Sequence, residues 1–196
     1  MTNFDEETHI YTIDGIEYPS VTDICSPISF KKLNAVNKYV VEQAADRGTR
    51  VHAYIQDYCL LDEYNLDEMD SDCIPYFVNF VEWRNTYFPE ILFTEKQMFS
   101  KELGYCGTCD LLCKIDNEIT LIDFKTTCSI DYKSLSVQLA GYSNLIKHSF
   151  YQGDLKTKVL QLKKNGYVYK DVEPNYEWFD ILKKHNDFMR SKNGRK

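Results

Sequence analysis

The spacing of apolar and polar positions changes several times along the chain, and each change marks an element. Residues 10–24 (IYTIDGIEYPSVTDI) alternate on both sides of Asp14-Gly15, which predicts a short hairpin followed by a Ser/Thr-rich turn. Residues 33–61 place apolar side chains at helical spacing, with a break predicted at Gly48. Residues 62–72 (DEYNLDEMDSD) carry six Asp/Glu and read as a solvated connection. Helical spacing returns over 74–88 and stops before Pro89.

From there the period shortens to two. Residues 91–99, 104–115 and 118–126 are rich in β-branched and aromatic residues, and the last two are separated by Asp116-Asn117. They predict a three-strand antiparallel meander. Residues 131–148 are again helical. Residues 156–162 and 166–172 form a second hairpin around Asn165-Gly166, and 174–190 form a last helix with Pro174 near its start. A basic tail (Arg190, Lys192, Arg195, Lys196) closes the chain. Helices, three strands, a helix, two strands and a helix predict an α/β or α+β sandwich around a central mixed sheet.

Composition agrees with this order. The chain has 196 residues, 43% hydrophobic and 27% charged, with only 5 Pro and 8 Gly, so no linker divides it. A single domain is expected over 1–196, with its core at about 33–172, the N-terminal hairpin at 10–24 and the C-terminal helix at 174–190. No apolar run reaches the ~18 residues of a membrane span, and the first residues are acidic rather than basic. A cytoplasmic, unprocessed protein with no membrane partner is expected. The net charge is −7, but it is divided unevenly: −11 over residues 1–98 and +4 over 99–196. An acidic protein with one basic working face fits this asymmetry, as does ordinary solvated surface charge.

The seven cysteines (Cys25, Cys59, Cys73, Cys106, Cys109, Cys113, Cys128) are odd in number, in a chain too large to need staples, so reduced thiols are expected. Cys106-x-x-Cys109 has the spacing of half a zinc site. No second pair lies at a fitting distance, and small buried residues on a strand are the plainer reading.

The candidate chemistry centres on Asp123-Phe124-Lys125, at the end of an apolar strand. Alternation puts Asp123 and Lys125 on one face, about 7 Å apart along the strand. Asp110 lies thirteen residues earlier, and the point halfway to Asp123 falls on the Asp116-Asn117 turn, so the two carboxylates fall level on adjacent strands. Two carboxylates this close repel, and a divalent cation relieves them. Mg²⁺ is commonly held by one or two carboxylates together with water and phosphate oxygens. Weaker pieces surround this core. His52 follows Gly48 by four residues, although a lone histidine is more often a core or surface residue than a ligand. Gln138 and Tyr142 share a helix face, and Glu95 is an acid in an apolar, aromatic stretch.

Taken in order, Gly48-x-x-x-His52, Glu95, Gly107-x-x-Asp110, Asp123-x-Lys125 and Gln138-x-x-x-Tyr142 resemble the PD-(D/E)XK nuclease superfamily, in particular its RecB/AddB-like branch. The opening, Tyr11-Thr12-Ile13-Asp14-Gly15 through Pro19-Ser20-Val21-Thr22, is similar to phage-encoded exonucleases of that group. The resemblance spans about residues 10–150. It departs at Cys109, where the superfamily name has Pro. It also lacks the cysteine quartet that holds an iron–sulfur cluster in some relatives, since no cysteine lies beyond Cys128.

This resemblance implies an α/β fold with a restriction-endonuclease-like core, a central mixed β-sheet flanked by helices. It implies a metal-dependent deoxyribonuclease, an exonuclease in phage DNA recombination or processing, placed in the host cytoplasm. The implied catalytic residues are Glu95, Asp110, Asp123, Lys125, Gln138 and Tyr142. The implied metal ligands are His52, Asp110, Asp123 and the carbonyl of Phe124, with Mg²⁺ or Mn²⁺ as the ion and no iron–sulfur cluster. DNA is the implied partner, together with a phage recombination protein, and the oligomeric state is left open. A non-catalytic DNA- or protein-binding module on the same fold is the alternative.

Overall fold

The computed structural model describes residues 1–5, 8–29 and 38–192, with the side chain of Lys38 excepted. The part of the first long helix expected over 33–37, and Arg195 and Lys196 of the basic tail, lie outside the described residues.

Two sheets organise the chain. The first joins β1 (Thr2–Asp5), β2 (Ile10–Ile13) and β3 (Ile16–Tyr18) in sequence order, all antiparallel. Its β2–β3 turn is the expected Asp14-Gly15, with φ of 51° and 78°. Positive φ at both central residues is what a two-residue hairpin needs to match strand twist. Strand β1 was not legible in the acidic N-terminal sequence.

The second sheet has five strands in the order β4 (Glu90–Ser100), β5 (Tyr105–Ile115), β6 (Glu118–Lys125), β7 (Leu155–Lys163), β8 (Gly166–Asp171). The expected meander forms β4 to β6, turning through Asp116 and Asn117 at φ 50° and 68°. Pairing of β6 with β7 is parallel, and β7 with β8 antiparallel, so the sheet is mixed as expected. The β6–β7 crossover is α4 (Tyr132–Ser149), capped by Asp131, whose carboxylate accepts from the N–H groups of Lys133 and Ser134.

Helices cover both faces. On one, α1 (Val21–Ser29), α4 and α5 (Tyr176–Lys192) bury Val21, Ile24, Leu139, Ala140, Leu145, Phe179 and Leu182 against Met98, Leu112, Leu121 and Val159. On the other, α2 (Lys38–Leu61) and α3 (Ile74–Tyr87) bury Val51, Ile55, Phe77, Phe80 and Trp83 against Leu111, Ile122, Phe124 and Leu160. The result is an α/β fold, a central mixed sheet between helical layers.

Two expectations need correction. Residues 20–24 do not form a loose turn; they open α1. The Ser20 hydroxyl accepts from the Asp23 N–H at 3.0 Å, and the Asp23 carboxylate accepts from the Ser20 N–H at 2.8 Å. This is a reciprocal capping box, and its residue types also read as a turn. Gly48 does not break α2, which is continuous from Lys38 to Leu61. A Cβ at Gly48 would lie 3.3 Å from Thr126 Oγ1, so glycine serves here as a point of close approach between α2 and the end of β6. His52 is accordingly in mid-helix and not at a helix start.

Close approach also fixes Gly141. A Cβ there would stand 2.5 Å from Phe179 Cε2 and 2.9 Å from Val21 Cγ1, between α5 and α1. Gly141→Ala is therefore expected to destabilise the fold by ~1–3 kcal/mol, the usual result of overpacking, despite alanine's better helix propensity. Thermal unfolding checks this; an unchanged or higher Tm would contradict the packing of α4 on α1 and α5.

Candidate active site

Three carboxylates line up across the middle of the larger sheet. Pairs Thr94↔Leu111 and Lys96↔Cys109 bracket Glu95 and Asp110, setting them level on β4 and β5. The next ladder begins at Leu111↔Ile122, and one step further sets Asp110 against Asp123, as the position of the turn predicts. The sheet is irregular along this row. Glu95 has a φ of 44°, rare for a residue with a side chain. On β5, Cys109 packs with the α1/α4/α5 layer while Leu111 packs with the α2/α3 layer, so alternation slips at Asp110. Strained backbone of this kind, costing of order 1–3 kcal/mol, persists where surrounding structure holds it.

The fourth group comes from α2. Val51 and Ile55 are buried beneath the helix and fix its rotation. His52 then stands edge-on to the Phe124 ring, with centroids 5.5 Å apart. Its Nδ1 lies 3.0 Å from Glu95 Oε1 and 3.8 Å from Asp110 Oδ1. The donor atoms of His52, Glu95 and Asp110 all fall within 4.8 Å of one another. One imidazole and two carboxylates are hard and borderline donors that suit Mg²⁺ or Mn²⁺, and this trio can hold a divalent cation.

The other expected residues stand around the trio. The second oxygen of Asp110 accepts a hydrogen bond from the Phe124 N–H at 2.6 Å, which fixes the carboxylate's rotation. In an extended strand the N–H and C=O of one residue point to the same side, so the Phe124 carbonyl opens toward Asp110 too. Asp123 is 3% exposed, and its Oδ2 lies 2.6 Å from Lys125 Nζ. At this distance ammonium and carboxylate form a close, charge-assisted pair. The structure thus brings Glu95 into the donor trio and sets the Asp123 carboxylate against the lysine. On α4, Gln138 Nε2 donates to Tyr142 Oη at 3.2 Å. The Tyr142 ring covers Gly107, where a Cβ would come within 2.9 Å of Cε1. Sequence reading missed Thr22, whose side chain hydrogen-bonds Tyr142 from α1. Its signal in the sequence is the Pro19-Ser20-Val21-Thr22 run, which reads as a turn.

Burial shapes every charge here. It acts to lower the His52 pKa, but the Asp110 and Glu95 carboxylates outweigh it and carry the imidazole up to about 9. Burial raises Asp110, against the pull of His52 and Lys125. Burial also raises Asp123 to about 6, despite Lys125 beside it. For Lys125 burial works downward, and the charges of Asp123 and Asp110 more than offset it, so the ammonium is held. The Tyr142 phenol is pushed well above its ordinary value by burial and by the same two carboxylates, so it stays protonated. Without a metal, the site is a compact set of acids in which imidazolium and ammonium supply the balancing charge.

A cavity of about 690 Å³ opens onto Glu95, Asp110 and Tyr142 and is walled by Phe4, Tyr11 and Tyr18 of the small sheet. The Tyr11 hydroxyl meets the Thr108 hydroxyl at 2.7 Å and ties that sheet to β5. All seven cysteines are free thiols, with Cys106 and Cys109 buried on β5. Among the described residues, no helix is long and apolar enough to cross a membrane.

No family model matches the chain. No curated protein matches it either. Among solved structures the chain is similar to a protein from Eubacterium rectale described as "Putative exonuclease", at 12% identity over 78% of this chain and 68% of that one, with a TM-score of 0.48. It is also similar to the protein SSO0001, at 15% identity over 76% of each chain, with a TM-score of 0.39.

Proposed function

We propose that this chain is a metal-dependent deoxyribonuclease, an exonuclease that hydrolyses phosphodiester bonds in phage DNA recombination or processing. The observation that carries the reading is the convergence of His52, Glu95 and Asp110 within 4.8 Å, beside the buried Asp123 and its half-buried partner Lys125. The ordered motifs that resemble PD-(D/E)XK nucleases support it.

His52, Glu95 and Asp110, with the Phe124 carbonyl, would hold Mg²⁺ or Mn²⁺, while Asp123, which the resemblance also implies as a ligand, is set against Lys125; the ion would supply charge neutralisation at the phosphate and a more acidic bound water. Phe124 N–H locks the Asp110 carboxylate in the orientation that serves as a ligand. Lys125 presents its ammonium to the attacking water and to the charge that develops on phosphate oxygens. Asp123 keeps that ammonium charged and aimed. Gln138 and Tyr142 form a hydrogen-bonding wall on the α4 side. The more basic second half of the chain provides phosphate contacts that weaken with salt.

A time course on linear and covalently closed circular DNA with Mg²⁺ or Mn²⁺ tests this, with EDTA as control. Linear DNA should disappear and circles persist. Nicking of circles would overturn the exonuclease assignment, and intact substrates of both kinds would overturn the nuclease assignment. Lys125→Ala is expected to lower kcat by ~10²-fold or more with little change in DNA affinity, the signature of a group that acts in the transition state. A variant that loses affinity alone would make Lys125 a phosphate clamp.

A further inference from the structure

The small sheet has one aromatic face. Phe4, Tyr11 and Tyr18 are register partners on β1, β2 and β3, so their side chains share a side of that sheet. The adjacent row, Asn3, Thr12 and Glu17, is polar and lies on the opposite side. The central ring is buried, with Tyr11 packed against Ile13 and Cys106. Its hydroxyl bonds Thr108, two residues before Asp110, so the row is moored beside the donor trio. The Phe4 ring stands 4.4 Å from Tyr11, and the His9 ring 5.7 Å from Phe4. Phe4 and Tyr18 are half-buried and His9 is exposed, and all three line the same cavity as Glu95 and Asp110.

The charged groups of that cavity are already engaged. The Asp23 carboxylate accepts from the Ser20 N–H and hydroxyl, both at 2.8 Å. Arg190 donates to the Glu17 carbonyl at 2.7 Å, with the Glu17 carboxylate 3.6 Å away. Glu95 is held by His52. One polar atom is not engaged: the amide oxygen of Asn186, on the α5 wall, is buried without a hydrogen-bond partner. A buried acceptor left without a donor is costly, and an N–H from a ligand relieves it. Rings on one wall and an orphaned acceptor on another suit a flat, uncharged ligand with N–H groups on its edge. A nucleobase is such a ligand, with a π face for stacking and donors on its Watson–Crick edge. The cavity of about 690 Å³ corresponds to a box roughly 9 Å on a side, narrower than the ~12 Å major groove of a duplex alone. A splayed nucleotide enters it, and a duplex does not.

We propose that Phe4, His9 and Tyr18 form a stacking platform for a base of single-stranded DNA, holding the strand whose phosphate lies at His52, Glu95 and Asp110. That the ligand is a DNA strand rests on the nuclease reading, which the platform narrows to single-stranded or frayed ends. Tyr11 is a positioning residue, which ties the rings to β5 without facing the base.

Calorimetric titration of the full chain, with Ca²⁺ in place of Mg²⁺ or Mn²⁺, tests this with three ligands: (dT)₁₂, an abasic strand of the same length, and a duplex closed at both ends by hairpin loops. (dT)₁₂ should bind ~10-fold or more tighter than either of the others. Phe4→Ala and Tyr18→Ala should each weaken (dT)₁₂ by ~5–100-fold and leave the weaker abasic affinity unchanged. Phe4→Leu, which keeps apolar bulk for the sheet but has no π face, should behave like Phe4→Ala. Phe4→Tyr and Tyr18→Phe, which keep the rings, should bind like the wild type. Equal affinity for (dT)₁₂ and the abasic strand overturns the proposal. So does a closed duplex bound as tightly as (dT)₁₂, or a loss in the ring variants that is as large on the abasic strand, the mark of a structural role only. Cleavage separates this from the nuclease reading. If base-dependent binding holds but no DNA is cut with Mg²⁺ or Mn²⁺, the nuclease reading fails alone. If linear DNA is cut and the ring variants bind and cut (dT)₁₂ like the wild type, the platform fails alone.

Discussion

Asp110→Asn is expected to abolish metal-dependent hydrolysis, lowering turnover by ~10³-fold or more, while the protein stays folded. The asparagine amide oxygen can still accept the Phe124 N–H that Asp110 accepts at 2.6 Å, so the β5–β6 contact survives. What is lost is one of the two negative charges in the donor trio. Calorimetric titration should show Mn²⁺ affinity falling by ~10²-fold or more. A second readout needs no metal. The Asp110 carboxylate is the largest upward influence on His52, which sits at about 9, so the imidazole should titrate at lower pH in the variant. Proton NMR of the ring follows that directly. Unchanged turnover in a folded variant would remove Asp110 from the site.

Asp123→Asn is expected to separate activity from stability. Turnover should fall steeply because Lys125 loses the carboxylate 2.6 Å away. The metal-free fold, however, should become more stable at pH 8. Burial raises Asp123 to about 6 in the folded state, above the 3.8 of a solvated aspartate. A group with a raised folded pKa contributes stability below its unfolded pKa, and that contribution is lost as pH rises through the folded one. At pH 8 the native state therefore carries a buried carboxylate that would be better solvated in the unfolded chain. A neutral amide of the same shape removes that cost, and Tm in EDTA should rise by about 5 °C. The advantage should shrink as pH falls and vanish near pH 4, where wild type and variant are both neutral. A lower Tm at pH 8 would mean that the ion pair with Lys125 outweighs burial.

The sequence carried some of this site clearly and hid the rest. Asp116 and Asn117 tolerate the left-handed backbone a two-residue turn requires, so the turn's position settled the register and set Asp110 opposite Asp123. Glu95 was visible as an acid among apolar residues. Its place beside His52 and Asp110 depends on a φ of 44° and a slipped alternation on β5, which no period-two reading contains. His52 was identified from its spacing after Gly48, but its reach depends on an unbroken α2. Gly48 was misread because helix propensity penalises glycine and says nothing about Thr126 pressing against it from another element. Residues 20–24 were misread for a related reason. Serine and aspartate three positions apart serve equally as a turn or as a capping box, and only the packing of Val21 and Ile24 decides between them.

The parallel pairing of β6 with β7 also orders events at the ribosome. Asp123 and Lys125 lie on β6, whose second neighbour is not β5's hairpin partner but a strand beginning at Leu155, beyond the whole of α4. While synthesis is between these points, β6 is an edge strand with Leu121, Ile122 and Phe124 on it, a template for unwanted pairing with other nascent chains. Completion of β7 covers that edge and sets Asp123 beside Val159 in the same step. A chain interrupted in α4 would therefore carry an exposed edge strand and be prone to aggregation before Asp123 and Lys125 are enclosed.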